Sequence, residues 1–145
     1  MNIKVEHLGR GADLSPLFAV RKQVFNDEDG VPKSHDFDGR DEAAEQFVAY
    51  DGENAIGTAR YRLIDDGIAK VERVAVLPGY RGKQVGMQVM TILEETAKQK
   101  GVKKLVMHSK LAAAEFYKKL GYETFGDVFE EANMPHIMMQ KVIRS

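Results

Sequence analysis

From Asn2 to His7 apolar and polar positions alternate, with Ile3 and Val5 set against Lys4 and Glu6, which is the period of a half-buried strand. The period then lengthens. Leu17, Val20 and Val24, flanked by Phe18 and Phe25, recur at helical spacing, and Ser15-Pro16 ahead of them predicts an N-cap with proline in the first turn. Over residues 26–44 the periodicity stops. Gly30, Pro32 and Gly39 mark a long loop with one short helical turn, ordered by Phe25, Val31 and Phe37 as anchors. Strand patterning returns over residues 46–50, 55–64 and 68–76. The turn sequences Asp51-Gly52-Glu53-Asn54 and Asp65-Asp66-Gly67 separate these runs, so an antiparallel meander of three strands is predicted. Val71, Val74, Ala75, Val76 and Leu77 make the third strand apolar on both faces, hence central.

A sharp turn at Leu77-Pro78-Gly79 and a basic loop, Tyr80-Arg81-Gly82-Lys83-Gln84-Val85-Gly86, lead into a long amphipathic helix. Val85, Val89, Ile92, Leu93 and Thr96 form its buried stripe, and Lys98, Lys100 and Gly101 close it. A short strand over residues 103–108 follows, parallel to the strand before the helix by the crossover rule. A second helix over residues 111–120 stops at Gly121. Two last strands, 122–129 and 137–142, are separated by a segment containing Pro135. Repeats, low-complexity tracts and linkers are absent, so residues 1–145 read as one α/β domain.

Composition narrows the chemistry. There is no cysteine, which excludes disulfides and thiol catalysis and fits a reducing, cytoplasmic location. No apolar run reaches the length of a membrane span, and the first residues lack the apolar core of a signal peptide. The histidines at 7, 35, 108 and 136 have no metal-ligand spacing, so no metal is predicted. The net charge of −1 is unevenly spread: residues 26–53 hold ten acids against Lys33 and Arg40, while residues 60–119 hold thirteen Lys and Arg against six acids. This split reads either as two solvated faces or as a cationic wall for a phosphorylated cofactor beside an acidic wall for a cationic substrate. With a pI near 6.4 and no basic stripe interleaved with aromatics, nucleic acid is not the expected partner.

The basic loop opens its helix without a Ser, Thr, Asp or Asn cap, which leaves backbone N–H groups free at the positive end of a helix dipole, a site for a phosphate-bearing ligand. Gly79 and Gly82 are too close for a Walker loop, and Gln84 follows Lys83 where Ser or Thr is needed. The spacing Gly82-x-x-x-Gly86 also misses the dinucleotide fingerprint. What remains, Val-x-Pro-x-Tyr-Arg-Gly-x-x-Val-Gly after a meander, resembles the acyl-CoA pyrophosphate loop of the GNAT superfamily of N-acetyltransferases, matching at Arg81 and Gly86 and departing at Gln84, where glycine is usual. A side chain at that position is compatible with a helical backbone. A second block, Ala113-x-x-Phe116-Tyr117-Lys118-Lys119-Leu120-Gly121-Tyr122, resembles the family's next motif in the correct order. Arg21-x-x-Val24-Phe25-x-x-Glu28, Asp38-x-x-Asp41, Gly57-Thr58-Ala59-Arg60 and Phe129-x-Glu131-x-x-Met134-Pro135-His136 are similar to its ElaA-like and YjcF-like branch, so the likeness covers nearly the whole chain.

The resemblance implies a GNAT fold: a mixed, mostly antiparallel sheet with one splayed parallel pair and helices on both faces. It implies acetyl-CoA as cosubstrate, held by the backbone of Val74, Ala75 and Val76 along the pantetheine arm. Residues Arg81, Gly82, Lys83, Gln84, Val85, Gly86 and Met87 take the pyrophosphate, and Phe116 lies beside the cofactor. The acceptor implied is a primary amine, attacking directly, with Tyr117 as general acid toward the departing thiolate. Glu72, two residues before Val74 and so expected on the same side, is one candidate base or else an ion-pair partner of Arg60, Arg62 or Arg73. His108, at the end of the parallel strand, is another. Phe25, Glu28 and His136 are placed on the acceptor side, and a homodimer is implied by relatives that dimerise. A catalytically idle acyl-CoA sensor and a nucleotide-binding module are the competing readings.

Overall fold

A computed structural model describes residues 2–9 and 11–143, the side chain of His35 excepted. Among the described residues seven strands form one sheet: β1 (Ile3–Leu8), β2 (Glu45–Asp51), β3 (Asn54–Asp65), β4 (Ile68–Val76), β5 (Lys104–Lys110), β6 (Glu123–Glu131) and β7 (Met134–Val142). Their spatial order is β1-β2-β3-β4-β5-β7-β6. Every neighbouring pair is antiparallel except β4 and β5, which are parallel and joined by the helix α3 (Val85–Gln99). The sheet has the parallel pair and the two helical layers that the sequence implied.

One face of the sheet buries Phe47, Tyr61, Val71, Leu105 and Met139 against Val85, Val89, Met90, Leu93 and Ala97 of α3 and against Ala114 and Tyr117 of the short helix α4 (Ala114–Lys119). Gly57 on β3 admits this packing, since a Cβ there would stand 3.2 Å from Val85 Cγ1 and 3.4 Å from both Ala49 Cβ and the Ala75 carbonyl. The start of α3 therefore rests directly on the strand. The opposite face carries α1 (Ser15–Arg21) and α2 (Lys33–Asp36), the helical turn predicted inside the long loop. Val20 and Val24 pack there on Ala75.

Three local expectations change. Ser15 lies inside α1 instead of capping it, because Asp13 accepts both the Ser15 backbone N–H and its hydroxyl. Beyond Arg21 the helix continues as a π-helical stretch, Lys22–Glu28, whose wider winding carries Phe25 and Glu28. The last two strands run to Glu131 and from Met134, leaving only Ala132 and Asn133 in the turn, with φ of 51° and 60°. That is a two-residue hairpin with both central residues left-handed. Pro135 is accommodated in β7 one residue before His136, which pairs with the last residue of β5.

Candidate active site

β4 holds one more residue than β3 can pair. Glu72 faces Arg60 and Ala75 faces Thr58, so Arg73 and Val74 together oppose Ala59. Arg73 takes up the excess with a left-handed φ of 58°, and the Thr58 hydroxyl donates to its carbonyl at 3.0 Å. Bulges bend the strand that carries them. Pairing with β5 ends at Val71 and Met107, immediately before the bulge, and the two strands separate. The edge of Val74, Ala75 and Val76 that would face β5 is left without a strand partner. A cleft of about 1130 Å³ passes through this opening, from the α3 side of the sheet to the α1 side.

The bulge also changes which way side chains point. Val71, Val74 and Val76 all pack toward α3, so Glu72 and Val74, two residues apart, stand on opposite faces. The expected common side for these two is thereby corrected. Glu72 instead faces α1 and α2.

On the α3 side the cleft begins at the helix start. Its first backbone bond runs from Gln88 N–H to the Gln84 carbonyl, which leaves the N–H groups of Val85, Gly86 and Met87 ahead of it without a backbone acceptor among the described residues. No side chain among these residues caps them. Gln84 itself is left-handed, with φ 65° and ψ 15°, and Gly82 has φ 75°. The anticipated helical backbone at Gln84 is therefore not what occurs: this is a conformation that favours glycine. Left-handed residues feeding a helix turn successive N–H groups toward one point and make an anion-binding concavity. Arg81 does not lie open beside it. Its Nη1 and Nη2 each donate to Glu28 at 2.6 Å, and its Nε donates to the Val76 carbonyl at 3.0 Å. Glu28 is held below the ordinary carboxylate range by that Arg81 bond. Lys83 is exposed and is not on the cleft wall, where Lys119 of α4 contributes a cation instead.

Tyr117 reaches the cleft from α4. Its ring is buried between Phe116, at 4.9 Å, and Tyr122, at 5.8 Å, both edge-on. Phe116 in turn touches Gly86, whose Cβ, if present, would stand 3.0 Å from the ring tip. The Tyr122 hydroxyl is occupied, donating to Glu94 at 2.8 Å, whereas that of Tyr117 has no partner among the described residues. Burial pushes the Tyr117 phenol well above its usual value, so it stays protonated.

The α1 side is lined by a dense ionic network. Arg21 and Arg60 are fully buried. Arg21 binds Asp36 at 3.0 Å and Asp41 at 2.7 Å; Arg60 binds Asp38 at 2.7 Å, Asp41 at 2.9 Å and Glu72 at 3.1 Å. Arg73 reaches Asp36 at 3.2 Å and Asp38 at 3.4 Å. Asp29 is paired with Lys110, and Asp27 with Lys22. The acids of residues 26–41 are thus largely answered by cations, and the acidic wall expected for a cationic substrate does not form. Glu72 also binds Arg62 at 2.8 Å and Lys70 at 3.4 Å. Burial raises its pKa, but the Arg62 bond and the charges of Arg60, Lys70 and Arg62 outweigh this and leave it lowered. Of its two sequence readings, the ion pair is the one the geometry displays.

Further along this wall His108 Nδ1 lies 2.9 Å from Glu131 Oε1. His136, buried, places Nδ1 2.9 Å from the Met134 carbonyl and Nε2 3.7 Å from Glu131 Oε2. The Phe129 ring contacts both imidazoles, at 5.2 and 5.9 Å.

A splayed parallel pair, an uncapped helix start and a buried phenol in one cleft are matched by sequence. The acetyltransferase (GNAT) family profile covers residues 13–122. The chain belongs to the GNAT family. Among GNAT relatives it is 36% identical over 129 residues to the uncharacterized N-acetyltransferase YjcF of Bacillus subtilis, covering 88% of this chain and 91% of that one. Escherichia coli ElaA superposes with a TM-score of 0.87 at 26% identity, over 97% of this chain and 99% of its own. These two place the chain in the YjcF-like and ElaA-like branch of the GNAT proteins. The fold is shared more distantly with an aminoglycoside 6'-N-acetyltransferase solved with coenzyme A, with a TM-score of 0.80, 17% identity, and 98% of each chain covered.

Within this GNAT cleft most of the predicted site residues meet. Val74, Ala75, Val76, Arg81, Gly82, Gln84, Val85, Gly86, Met87, Phe116 and Tyr117 line it together with Phe25, Glu28, Glu72, His108 and His136. Lys83 is the exception. Glu131 lies beyond the strand that the periodicity predicts over residues 122–129, because β6 runs on to it, although it stands inside the block Phe129-x-Glu131 that carries the resemblance.

Proposed function

We propose that the protein transfers an acetyl group from acetyl-CoA to a primary amine, with Tyr117 as the general acid. Acetyl-CoA would supply the activated thioester. The free N–H groups of Val85, Gly86 and Met87 suit its pyrophosphate, and the unpaired edge of β4 suits its pantetheine amides as an added strand would. The amine nitrogen forms a bond to the thioester carbonyl carbon, the C–S bond breaks, and the sulfur takes a proton from the Tyr117 hydroxyl. The proton lost by the amine passes to a base on the opposite side of the sheet. Because Glu72 is paired with Arg60, Arg62 and Lys70, His108 is the better candidate for that base.

The observation that carries this reading is the Tyr117 hydroxyl, on the cleft wall and without a protein partner, when its neighbour Tyr122 is fully engaged. The coenzyme A held by the aminoglycoside-modifying enzyme of the same fold supports the choice of cofactor. Acetyl-CoA should raise the melting temperature, since a ligand that binds only the folded state stabilises it. Thiol release is then followed across polyamines, aminoglycosides, amino acids and peptides. Tyr117→Phe should lower kcat by about 10²–10⁴-fold at unchanged acetyl-CoA affinity. Unchanged kcat removes the general-acid role, and cofactor binding without turnover of any amine points to the sensor.

A further inference from the structure

We propose that Glu131 is a positioning residue of the acceptor side: its carboxylate fixes the tautomer of His108 so that Nε2 is the proton-accepting nitrogen in the cleft. The proposal rests on the acetyltransferase reading for its catalytic meaning, though not for its geometry. A carboxylate oxygen only accepts at neutral pH, so the 2.9 Å contact with Glu131 Oε1 requires the proton on His108 Nδ1. Nε2 then carries the lone pair, and it has no hydrogen-bond partner among the described residues.

A second imidazole stands beside Glu131. The Met134 carbonyl accepts from His136 Nδ1, so His136 is the Nδ1–H form, and its Nε2 lies 3.7 Å from Glu131 Oε2. Phe129, one strand step from Glu131, closes against both rings. The groups facing His108 from the packed elements are therefore Glu131 and Phe129 from β6 and Met138 with His136 from β7; on β4 the pairing with β5 stops one position short of Glu72, whose charge is already met by Arg60, Arg62 and Lys70. The side of the sheet also fits. His108 and Glu131 stand on the α1 side and Tyr117 on the α3 side, so a proton acceptor and a proton donor face each other through the gap between β4 and β5.

A stabilising role does not account for Glu131. Its side chain is 48% exposed, and exposed ion pairs contribute little to folding. The test reads the tautomer directly. In the whole protein, long-range ¹H–¹⁵N correlation spectra at a pH where imidazoles are neutral should give His108 as Nδ1–H. Glu131→Ala should shift it toward Nε2–H, and Glu131→Gln, whose amide oxygen still accepts, should hold Nδ1–H. A wild-type Nε2–H form, or no change in Glu131→Ala, overturns the proposal whether or not any amine is acetylated. With the amine that turns over fastest in the panel above, Glu131→Ala should lower kcat about tenfold or more while KM for acetyl-CoA stays constant, and Glu131→Gln should recover part of the loss. A flipped tautomer with unchanged kcat also overturns it, because the proton then does not pass through His108.

Discussion

Gln84 invites a direct measurement of how much strain the helix start contains. Its φ of 65° costs a side-chain-bearing residue about 1–2 kcal/mol relative to glycine. Glycine at the same place loses about 0.4–1 kcal/mol through the larger freedom of its unfolded chain. The side chain is exposed and forms no hydrogen bond among the described residues, so removing it forfeits none. Gln84→Gly should therefore stabilise the fold by about 0.5–1 kcal/mol, a rise of about 1–4 °C in Tm for a chain of this size. Gln84→Ala separates the causes: it removes the same side chain beyond Cβ but keeps the Cβ that clashes, and should stay within about 0.3 kcal/mol of the parent. Urea unfolding of the three proteins in parallel decides the matter. A glycine variant no more stable than the alanine variant would refute the argument, because the left-handed penalty would then be absent.

Two further outcomes follow from the ionic network on the α1 side. Arg60→Met leaves Asp38 with a weaker set of partners and strips one partner each from Asp41 and Glu72; the expected loss is about 3 kcal/mol in urea unfolding, at the low end for a broken buried pair because Arg21 and Arg62 remain, and a loss under about 1 kcal/mol would contradict it. For Asp38, burial pushes the pKa up but the Arg60 bond and the Arg40 backbone N–H outweigh it and bring it down to about 2, so the folded state binds fewer protons than the unfolded one. Its stabilising contribution should be complete above about pH 5 and disappear as pH falls toward 2, and Asp38→Asn should flatten that part of the stability–pH curve.

Much of the architecture was legible because it follows from apolar spacing. The meander, the long helix with Val85, Val89 and Leu93 inward, and the parallel return strand all stand where the pattern put them. The site was legible where a motif met a turn, at Arg81 to Gly86 and at Phe116-Tyr117. What escaped has a common physical form. Arg73, Gln84, Ala132 and Asn133 are the non-glycine residues with positive φ among those described, and each sits where the reading went astray. Turns are recognised through glycine, proline and the short polar residues, whereas Arg73 is held left-handed by tertiary contacts with Thr58, Asp36 and Asp38 that no local window contains. The turn at Ala132-Asn133 carries no glycine or proline of its own, so nothing local signals that β6 extends to Glu131 and brings it to His108. The neutralised acids were unreadable for the same reason: their partners Arg21, Arg60 and Arg73 come from three separate elements.

The extra residue in β4 makes the site sensitive to length in a way that it is not sensitive to chemistry. Deleting Arg73 would let the strand run in even step with Val74 and Val76 still in the core and Ala75 still on the α1 side, but it would remove the bulge that bends β4 where its pairing with β5 stops. A single missing codon there would let β4 and β5 go on pairing past Val71 and Met107 and close the opening between them, whereas exchanging the residue for glycine would keep the step and lose only the guanidinium contacts. Substitutions along this strand can therefore vary its pocket gradually, but its residue count is fixed by the two rooms it has to divide.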